Sequence, residues 1–349
     1  MNLVHRPSRF GQAVLSACRR QWLKVSLLGV CVLGLLGLEA WGHFAPVGVC
    51  DWTADQLREL RVSNTEDFHF VAFGDNEGSA IVKTILDDIQ SDPEVSFALD
   101  IGDLVRAATR KNYRDFVEQV RRRLKRPLLT AIGNRDMAGH DDGLYRKVFG
   151  PLYYAFHMGR NAFIVLDDAD GRGLGRAQTD WLEKELAGAQ EADARFVLMH
   201  VPLFDRANQI ICDCLSEEES ERLVALFRRY RVTYVFAAHI HGYFAGNYGG
   251  VPYVVTGGGG GDLDGNDPGH YFYNYLKIGV CHGHVDVRLE RIPLSPVGTW
   301  LEQHGCGWWV DGRDLLGIRG LELALVMAVA ALVLLIVRTS FKGVPGTQP

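Results

Sequence analysis

The amino-acid sequence predicts an α/β fold with mixed β-sheets, set between a transmembrane helix at each end. Three observations lead there. Short apolar runs alternate with amphipathic stretches from residue 68 to residue 239, the pattern of strand–helix units. Strand-like segments dominate from there to residue 292. Two continuous apolar runs, each bordered by basic residues, lie near the chain ends.

Residues 1–24 form a basic tail with Arg6, Arg9, Arg19, Arg20 and Lys24. The first span is "VSLLGVCVLGLLGLEAWG" (25–42), with Trp22 and Trp41 near its ends and Glu39 close to the far boundary. The long basic stretch and the lack of a small-residue cleavage site argue against a cleaved signal peptide. Residues 43–65 read as a linker and 66–292 as the folded domain. Within it, "FHFVAFGD" (68–75) and "VSFALDIGD" (95–103) are apolar strands that end in Gly-Asp. "SAIVKTILDDIQ" (79–90) and "YRDFVEQVRRRL" (113–124) are helices, and "RPLLTAIGN" (126–134) is a third strand. "LYYAFHMG" and "NAFIVLDD" form a hairpin turning at Gly159–Asn161. Helix 176–189 precedes strand "ARFVLMH" (194–200), and helix 217–230 precedes strand "RVTYVFAAH" (231–239). "VPYVVTGG", "YFYNYLKIGV" and "HVDVRLERI" complete the domain as strands. Residues 293–320 are a juxtamembrane linker with Trp300, Trp308 and Trp309, suited to an interfacial belt. The second span is "LELALVMAVAALVLLIV" (321–337), apolar on all sides, and a tail with Arg338 and Lys342 ends the chain at 349. Both runs are near the short end of the roughly 20 residues a span requires. Positive charge outside each span predicts a multi-pass protein with both termini in the cytoplasm and the domain across the membrane.

A net charge of −5 excludes the basic footprint of a sequence-independent nucleic-acid binder, so no nucleic-acid partner is expected. Cys50, Cys212, Cys214, Cys281 and Cys306 would face the oxidising side. Cys50 and Cys306 both lie next to a span, and a bridge between them is expected. "CDC" at 212–214 has no second Cys or His pair at zinc spacing and reads as a surface loop. The glycine tract "TGGGGGDLDGNDPG" (256–269) lacks the Gly-Lys-Ser/Thr ending of a phosphate loop and reads as a flexible loop.

Chemistry concentrates at strand ends. Asp75, Asp103, Asn134, His200, His239 and His241 all fall at or just beyond the C-terminal end of an apolar run, the edge where open α/β sheets bind ligands. One aspartate there is usually a cap or turn residue. Six metal-capable side chains from five strands are not explained that way. Carboxylate, amide and imidazole together suit zinc, manganese or iron.

With "GDNEG", "IGDLV", "GNRD", "LMHVPLF" and "AHIHG" in that order, the chain resembles the calcineurin-like metallophosphoesterases, including the branch related to purple acid phosphatases. "YRKVFGPLYYAF", "FIVLDD" and "VPYVVTGGGG" resemble family segments as well, so that the likeness covers roughly residues 66–292. It implies a β-sandwich flanked by helices, in four αββα layers, with two divalent or trivalent metal ions at one edge. Asp103 would bridge the ions, Asp75 and His241 would bind one, and Asn134, His200 and His239 the other. Such a pair of ions activates a hydroxide for attack on a phosphoester.

Three positions depart from the family pattern. Glu77 stands where the first motif has histidine, either as a ligand for a harder metal or facing solvent. Arg106 stands where purple acid phosphatases have their iron-binding tyrosine. Arg135 replaces the histidine that contacts phosphate and assists the leaving group. It keeps its proton at any working pH, so it can hold phosphate but cannot act as a general acid. His140 and His270 are candidate substitutes, each more simply read as solvent-exposed. The functional expectation is a membrane-anchored phosphomonoesterase or phosphodiesterase, with a phosphate ester of lipid or cell-envelope origin compatible with its place. The rival is a catalytically weak binding or scaffold protein of the same fold.

Overall fold

Alternation along the central strands sorts their side chains onto two apolar faces, so these strands must be covered on both sides. In β1 (Phe68–Phe73), Phe68, Phe70 and Ala72 enter one core, and Val71 and Phe73 enter another. The computed structural model describes residues 9–62, 67–204, 213–294 and 319–341. β1 lies between β2 (Val95–Asp100) and β10 (Asn274–Cys281) in a sheet of order β11-β10-β1-β2-β3, with β3 at Leu128–Thr130 and β11 at His284–Arg291. β1, β2 and β3 run parallel, and β10 and β11 are antiparallel additions.

The second sheet comprises β4 (Tyr154–Met158), β5 (Asn161–Val165), β6 (Arg195–Leu198), β7 (Tyr234–Ala237), β8 (Tyr243–Tyr248) and β9 (Val251–Thr256). Its order is β4-β5-β6-β7-β9-β8, parallel from β5 to β9 with an antiparallel strand at each edge.

Between the sheets lies a phenylalanine core. The Phe70 ring stacks on Phe97 at 5.4 Å and meets Phe163 and Phe196 edge-on at 5.2 and 5.4 Å. Such offset and edge contacts suit the ring quadrupoles and fix how the sheets face each other. Helices α3 (Ala80–Ser91), α4 (Arg110–Arg123) and α5 (Gly143–Phe149) cover the outer face of the first sheet through Ile85, Phe116 and Phe149. Helices α6 (Arg176–Gly188) and α7 (Glu217–Arg229) cover the second sheet through Leu182, Leu186 and Phe227. The result is helices, sheet, sheet, helices. Ser79, Thr109 and Ser216 cap α3, α4 and α7 by accepting from backbone N–H groups that have no partner within the helix.

The chain divides into two compact units, Ala45–Val310 and a smaller one of Met1–Phe44 with Asp311–Pro349. The smaller unit holds α1 (Arg9–Phe44) and, numbering on in chain order, α8 (Arg319–Phe341), which pack on each other. An 18-residue window in α1, Gln21–Leu38, is apolar enough to cross a membrane and is unburied. Trp22, Leu23, Val30 and Leu33 are more than 60% exposed on it. Among the described residues no second window reaches that length; the apolar stretch of α8, Leu325–Ile336, is shorter.

The structure corrects four further expectations. The linker at 43–65 contains a helix, α2 (Trp52–Val62), whose Trp52 and Leu60 join the core; Trp52 Nε1 donates to the Leu128 carbonyl at 2.7 Å. β8 is a strand where none was expected, because its polar middle, "AGN", conceals it. Cys50 is exposed and free, so the Cys50–Cys306 bridge is not formed; Cys306 itself lies outside the described residues. Cys214 is disulfide-bonded, which leaves the surface-loop reading of "CDC" unchanged.

The fourth correction concerns the glycine tract. Gly257 to Gly261 are buried, and they strap β9 across the ends of both sheets. Gly259 N donates to Gly74 O at 2.9 Å, and Gly261 N to Asp75 O at 2.7 Å. A Cβ on Gly259 would lie 2.3 Å from the Gly74 carbonyl oxygen. Glycine is needed there for close approach rather than for mobility. Gly259→Ala is expected to destabilise the domain by about 2 kcal/mol or more. Gly188→Ala, at a helical site with nothing within 4 Å, should be neutral or mildly stabilising. Thermal melts of the two variants measure the contrast, and equal melts would contradict it.

Candidate metal centre

Five strand ends supply the centre. Asp75 and Glu77 follow β1, Asp103 follows β2, Asn134 and Arg135 follow β3, His200 follows β6, and His239 and His241 follow β7. All eight sequence-expected residues therefore come to one edge. Asp75, Glu77, Asp103 and His239 have φ of 56°, 49°, 55° and 70°. Left-handed backbone at a non-glycine residue costs on the order of 1–3 kcal/mol and persists only where the surroundings fix it.

Hydrogen bonds between the loops do that fixing. Asp75 N donates to Gly102 O at 3.0 Å and Glu77 N to Asp103 O at 2.9 Å. Arg135 N donates to Asp103 Oδ1 at 2.8 Å. Asp136 Oδ2 accepts from Gly133 N at 2.9 Å and Leu104 N at 3.2 Å, tying the third loop to the second. His239 N donates to Asp75 Oδ2 at 2.7 Å and so joins the two sheets. Asp168 accepts from His200 N at 2.8 Å and Val201 N at 3.0 Å.

The imidazoles are oriented by the main chain. His200 Nδ1 lies 2.9 Å from Ile101 O, and His241 Nδ1 lies 2.6 Å from Asp262 O. A carbonyl only accepts, so each Nδ1 carries the proton and each neutral ring presents a lone pair at Nε2. His200 Nε2 then faces Asn134 Oδ1 at 3.0 Å and Asp103 Oδ1 at 3.5 Å. His241 Nε2 faces Asp75 Oδ1 at 3.7 Å and Glu77 Oε1 at 3.8 Å. His239 Nδ1 lies 2.9 Å from the same Asn134 oxygen. At His200 and His241 acceptor thus meets acceptor, an arrangement that a cation stabilises.

The donor set fits one. Asp75 Oδ1 and Glu77 Oε1 are buried and accept no hydrogen bond. Donor atoms of Asp75, Asp103 and His200 lie within 4.8 Å of one another, a group able to hold a metal ion. Two donors about 2.1 Å from a shared ion and at right angles to it stand about 3 Å apart, close to the separations around Asn134.

Glu77 does not face solvent. Its side chain is 3% exposed, with Oε1 2.9 Å from Arg135 Nε and Oε2 3.1 Å from Arg106 Nε. Of the candidate replacements for the missing histidine, His140 is exposed, and His270 bonds the Tyr243 carbonyl and stacks on Phe244 at 4.6 Å. Neither makes a described contact with these donors. His282 sits at the β10–β11 turn, where Cys281 pairs with His284. Sequence reasoning missed the roles of Asp136, Asp168 and Asp262, which orient loops and ligands, and the Arg106–Glu77 pair. For Asp168 the available signal was its place at the end of "FIVLDD".

Burial, compounded by the Asp103 charge, holds Asp75 and Asp136 well above the usual carboxylate range. Burial raises Asp100 and Asp103 likewise and pushes Asp168 up to about 8. It pushes His200 and His239 down to about 4, which keeps them neutral as ligands must be. The raised carboxylates bind more protons folded than unfolded, so they destabilise the metal-free chain as pH rises above about 4. The depressed histidines act in the opposite sense, but only below their unfolded value of about 6.5. Between about pH 6.5 and 8 the carboxylates alone decide. The Tm of chelated chain is expected to fall across that window, and manganese should offset the fall. Calorimetry at each pH measures this, and a chelated Tm that rises would contradict it.

The family model for calcineurin-like phosphoesterases matches residues 67–243, just over half the chain. The serine/threonine-protein phosphatases CPPED1 of Rattus norvegicus and Danio rerio are 27% and 29% identical over 184 residues, 47% of this chain. The chain spans 59% and 60% of the length of those relatives. The solved purple acid phosphatase PPD1 of yellow lupin (Lupinus luteus) is 20% identical with a TM-score of 0.54, over 65% of this chain and 52% of its own; that likeness concerns the fold. The matched span contains every strand-end donor described above, and the chain belongs to the calcineurin-like phosphoesterase family.

Proposed function

We propose that the chain is a membrane-anchored, dinuclear-metal phosphoesterase. The observation that carries this reading is the pair of main-chain-fixed imidazoles whose Nε2 lone pairs face other acceptors. Asp103 would be the shared ligand; Asp75, Glu77 and His241 would hold one ion, and Asn134, His200 and His239 the other. Manganese, iron and zinc all suit these donors. When bound, the two ions supply a hydroxide nucleophile at neutral pH and polarise the phosphoryl oxygens.

The chain's own residues do the rest. Ile101 and Asp262 carbonyls hold the ligand imidazoles in one tautomer. Asp136 keeps Gly133 and Leu104 in place, so Asn134 and Asp103 stay in register. Arg135 grips phosphate oxygens but keeps its proton, so the leaving group departs as an anion without acid help. Loss of general acid catalysis costs on the order of 10²–10⁴-fold for a poor leaving group and far less for an acidic one. Phosphoanhydrides and aryl esters are the substrates that tolerate it. Basic residues flanking the apolar runs 25–42 and 321–337 support a topology with both termini in the cytoplasm and the catalytic domain outside, where a lipid or cell-envelope phosphate would be within reach.

One observation favours a second reading, a binding protein with little turnover. Arg135 Nε, 2.9 Å from Glu77 and 3.3 Å from Asp103, already places a fixed cation beside the carboxylates. Metal content and hydrolysis of 4-nitrophenyl phosphate separate the two. The hydrolase reading expects two ions per chain and a loss on the order of 10²–10³-fold in Asp103→Asn; one ion or none, with no turnover, supports the binding protein. For the topology, Cys50 and Cys281 are exposed and free, so an impermeant maleimide should label both in intact cells. Labelling only after lysis would overturn the external placement.

A further inference from the structure

We propose that Asp67, Cys281 and His282, together with His284, form a structural site for a zinc-like divalent cation. It lies at the opposite end of β1 from the candidate catalytic centre and does not depend on the phosphoesterase reading.

The donors meet because the start of β1 and a tight turn converge. Phe68 pairs with Val280 in the antiparallel β1–β10 ladder. Asp67, one step before, and Cys281, one step after, therefore reach the same end of the sheet. His282 and Gly283 turn the chain into β11 with φ of 49° and 77°, the left-handed pair that a two-residue hairpin requires. His282 N donates to Asp67 Oδ1 at 3.2 Å, which ties the turn to the strand. His282 Nδ1 lies 3.3 Å from Asp67 Oδ1 and 3.3 Å from Cys281 Sγ. Donor atoms of the three residues all lie within 4.8 Å of one another, a group able to hold a metal ion. His284 is the ladder partner of Cys281. Facing residues of an antiparallel pair share one sheet face with Cβ atoms about 5 Å apart, which sets a second imidazole beside the thiol.

Distances and donor types together name the ligand class. Ligand atoms about 2.0–2.3 Å from zinc at tetrahedral angles stand about 3.3–3.7 Å apart, close to both His282 separations. Thiolate, imidazole and carboxylate suit zinc, whereas magnesium and calcium take oxygen. Cys281 is a free, exposed thiol. A carboxylate has about four lone-pair sites, so Asp67 can bind a cation and keep its other partners. Exposed contacts of this kind contribute little by themselves. A cation would clip residue 67 to residue 281 across nearly the whole domain, and closing so long a loop restrains the unfolded chain most. Asp67 precedes β1 and Asp75 follows it, which separates the two sites by roughly 25 Å along one strand. The cation would hold the fold and not reach the substrate.

The test uses the full chain in detergent, wild type beside Cys281→Ser, His282→Ala and Asp67→Asn. No thiol is among the donors of the candidate catalytic centre, so a thiolate-to-cobalt charge-transfer band reports this site alone. Cobalt(II) added to the metal-free wild type should produce that band, and zinc should erase it by displacement. Cys281→Ser should lack it, and His282→Ala and Asp67→Asn should bind cobalt on the order of 10-fold more weakly or worse. No band in the wild type, or a band that persists in Cys281→Ser, would overturn the site. Labelling gives a second readout within the wild type. Without metal, a maleimide should modify both Cys50 and Cys281; zinc should slow Cys281 on the order of 10-fold and leave Cys50 unchanged. Equal protection of both thiols, or of neither, would overturn the site. Because Cys281 is exposed, Cys281→Ser should melt with the wild type in chelator; if it does not, the labelling alone decides. Neither readout involves hydrolysis, so a chain without turnover leaves both intact.

Discussion

The Nε2 lone pairs of His200 and His241 face amide and carboxylate oxygens at 3.0 to 3.8 Å, among side chains that, Asn134 apart, are buried. Such groups repel one another, and water has little access to separate them. Much of the surrounding structure maintains this unfavourable approach. Carbonyls fix the tautomers, Asp136 and Asp168 fix loops by accepting their N–H groups, and four residues are held in left-handed backbone. The strain at this edge is local, and the packed layers beneath supply the stability that sustains it.

Those layers also set the position of the edge. His239 and Asp75 belong to different sheets, and their 2.7 Å hydrogen bond exists only if the sheets face each other in one register. The phenylalanine core around Phe70 and Phe163 determines that register. Apolar packing between the sheets thus reaches the chemistry through strand ends only a few residues long. The arginines at 106 and 135 are built onto the same frame, since their common anchor, Glu77, follows the central strand β1.

Much of this was legible in the amino-acid order, because both signals involved are local. Alternation identified nearly all the strands, and polar residues at their ends marked the donors. The missing parts depend on contacts far apart in sequence. Arg106 meets Glu77 across 29 positions, and Asp136 meets Leu104 across 32. No periodicity carries such a pairing. α2 was overlooked because a short helix with mixed polarity resembles a linker until Trp52 and Leu60 are seen in the core. The second apolar run forms a helix, but the membrane-length window among the described residues lies in α1. The glycine tract was misread because composition alone does not separate a segment that must move from one that must fit.

That tract has a thermodynamic side. Glycine surrenders more backbone freedom on ordering than any other residue, about 0.5–1 kcal/mol relative to alanine. From Gly257 to Gly261 this entropy is lost in one short stretch that touches both Asp75 and His241. Groups bound at the centre and order in the strap are consequently linked: whatever stabilises the donors also stabilises the strap.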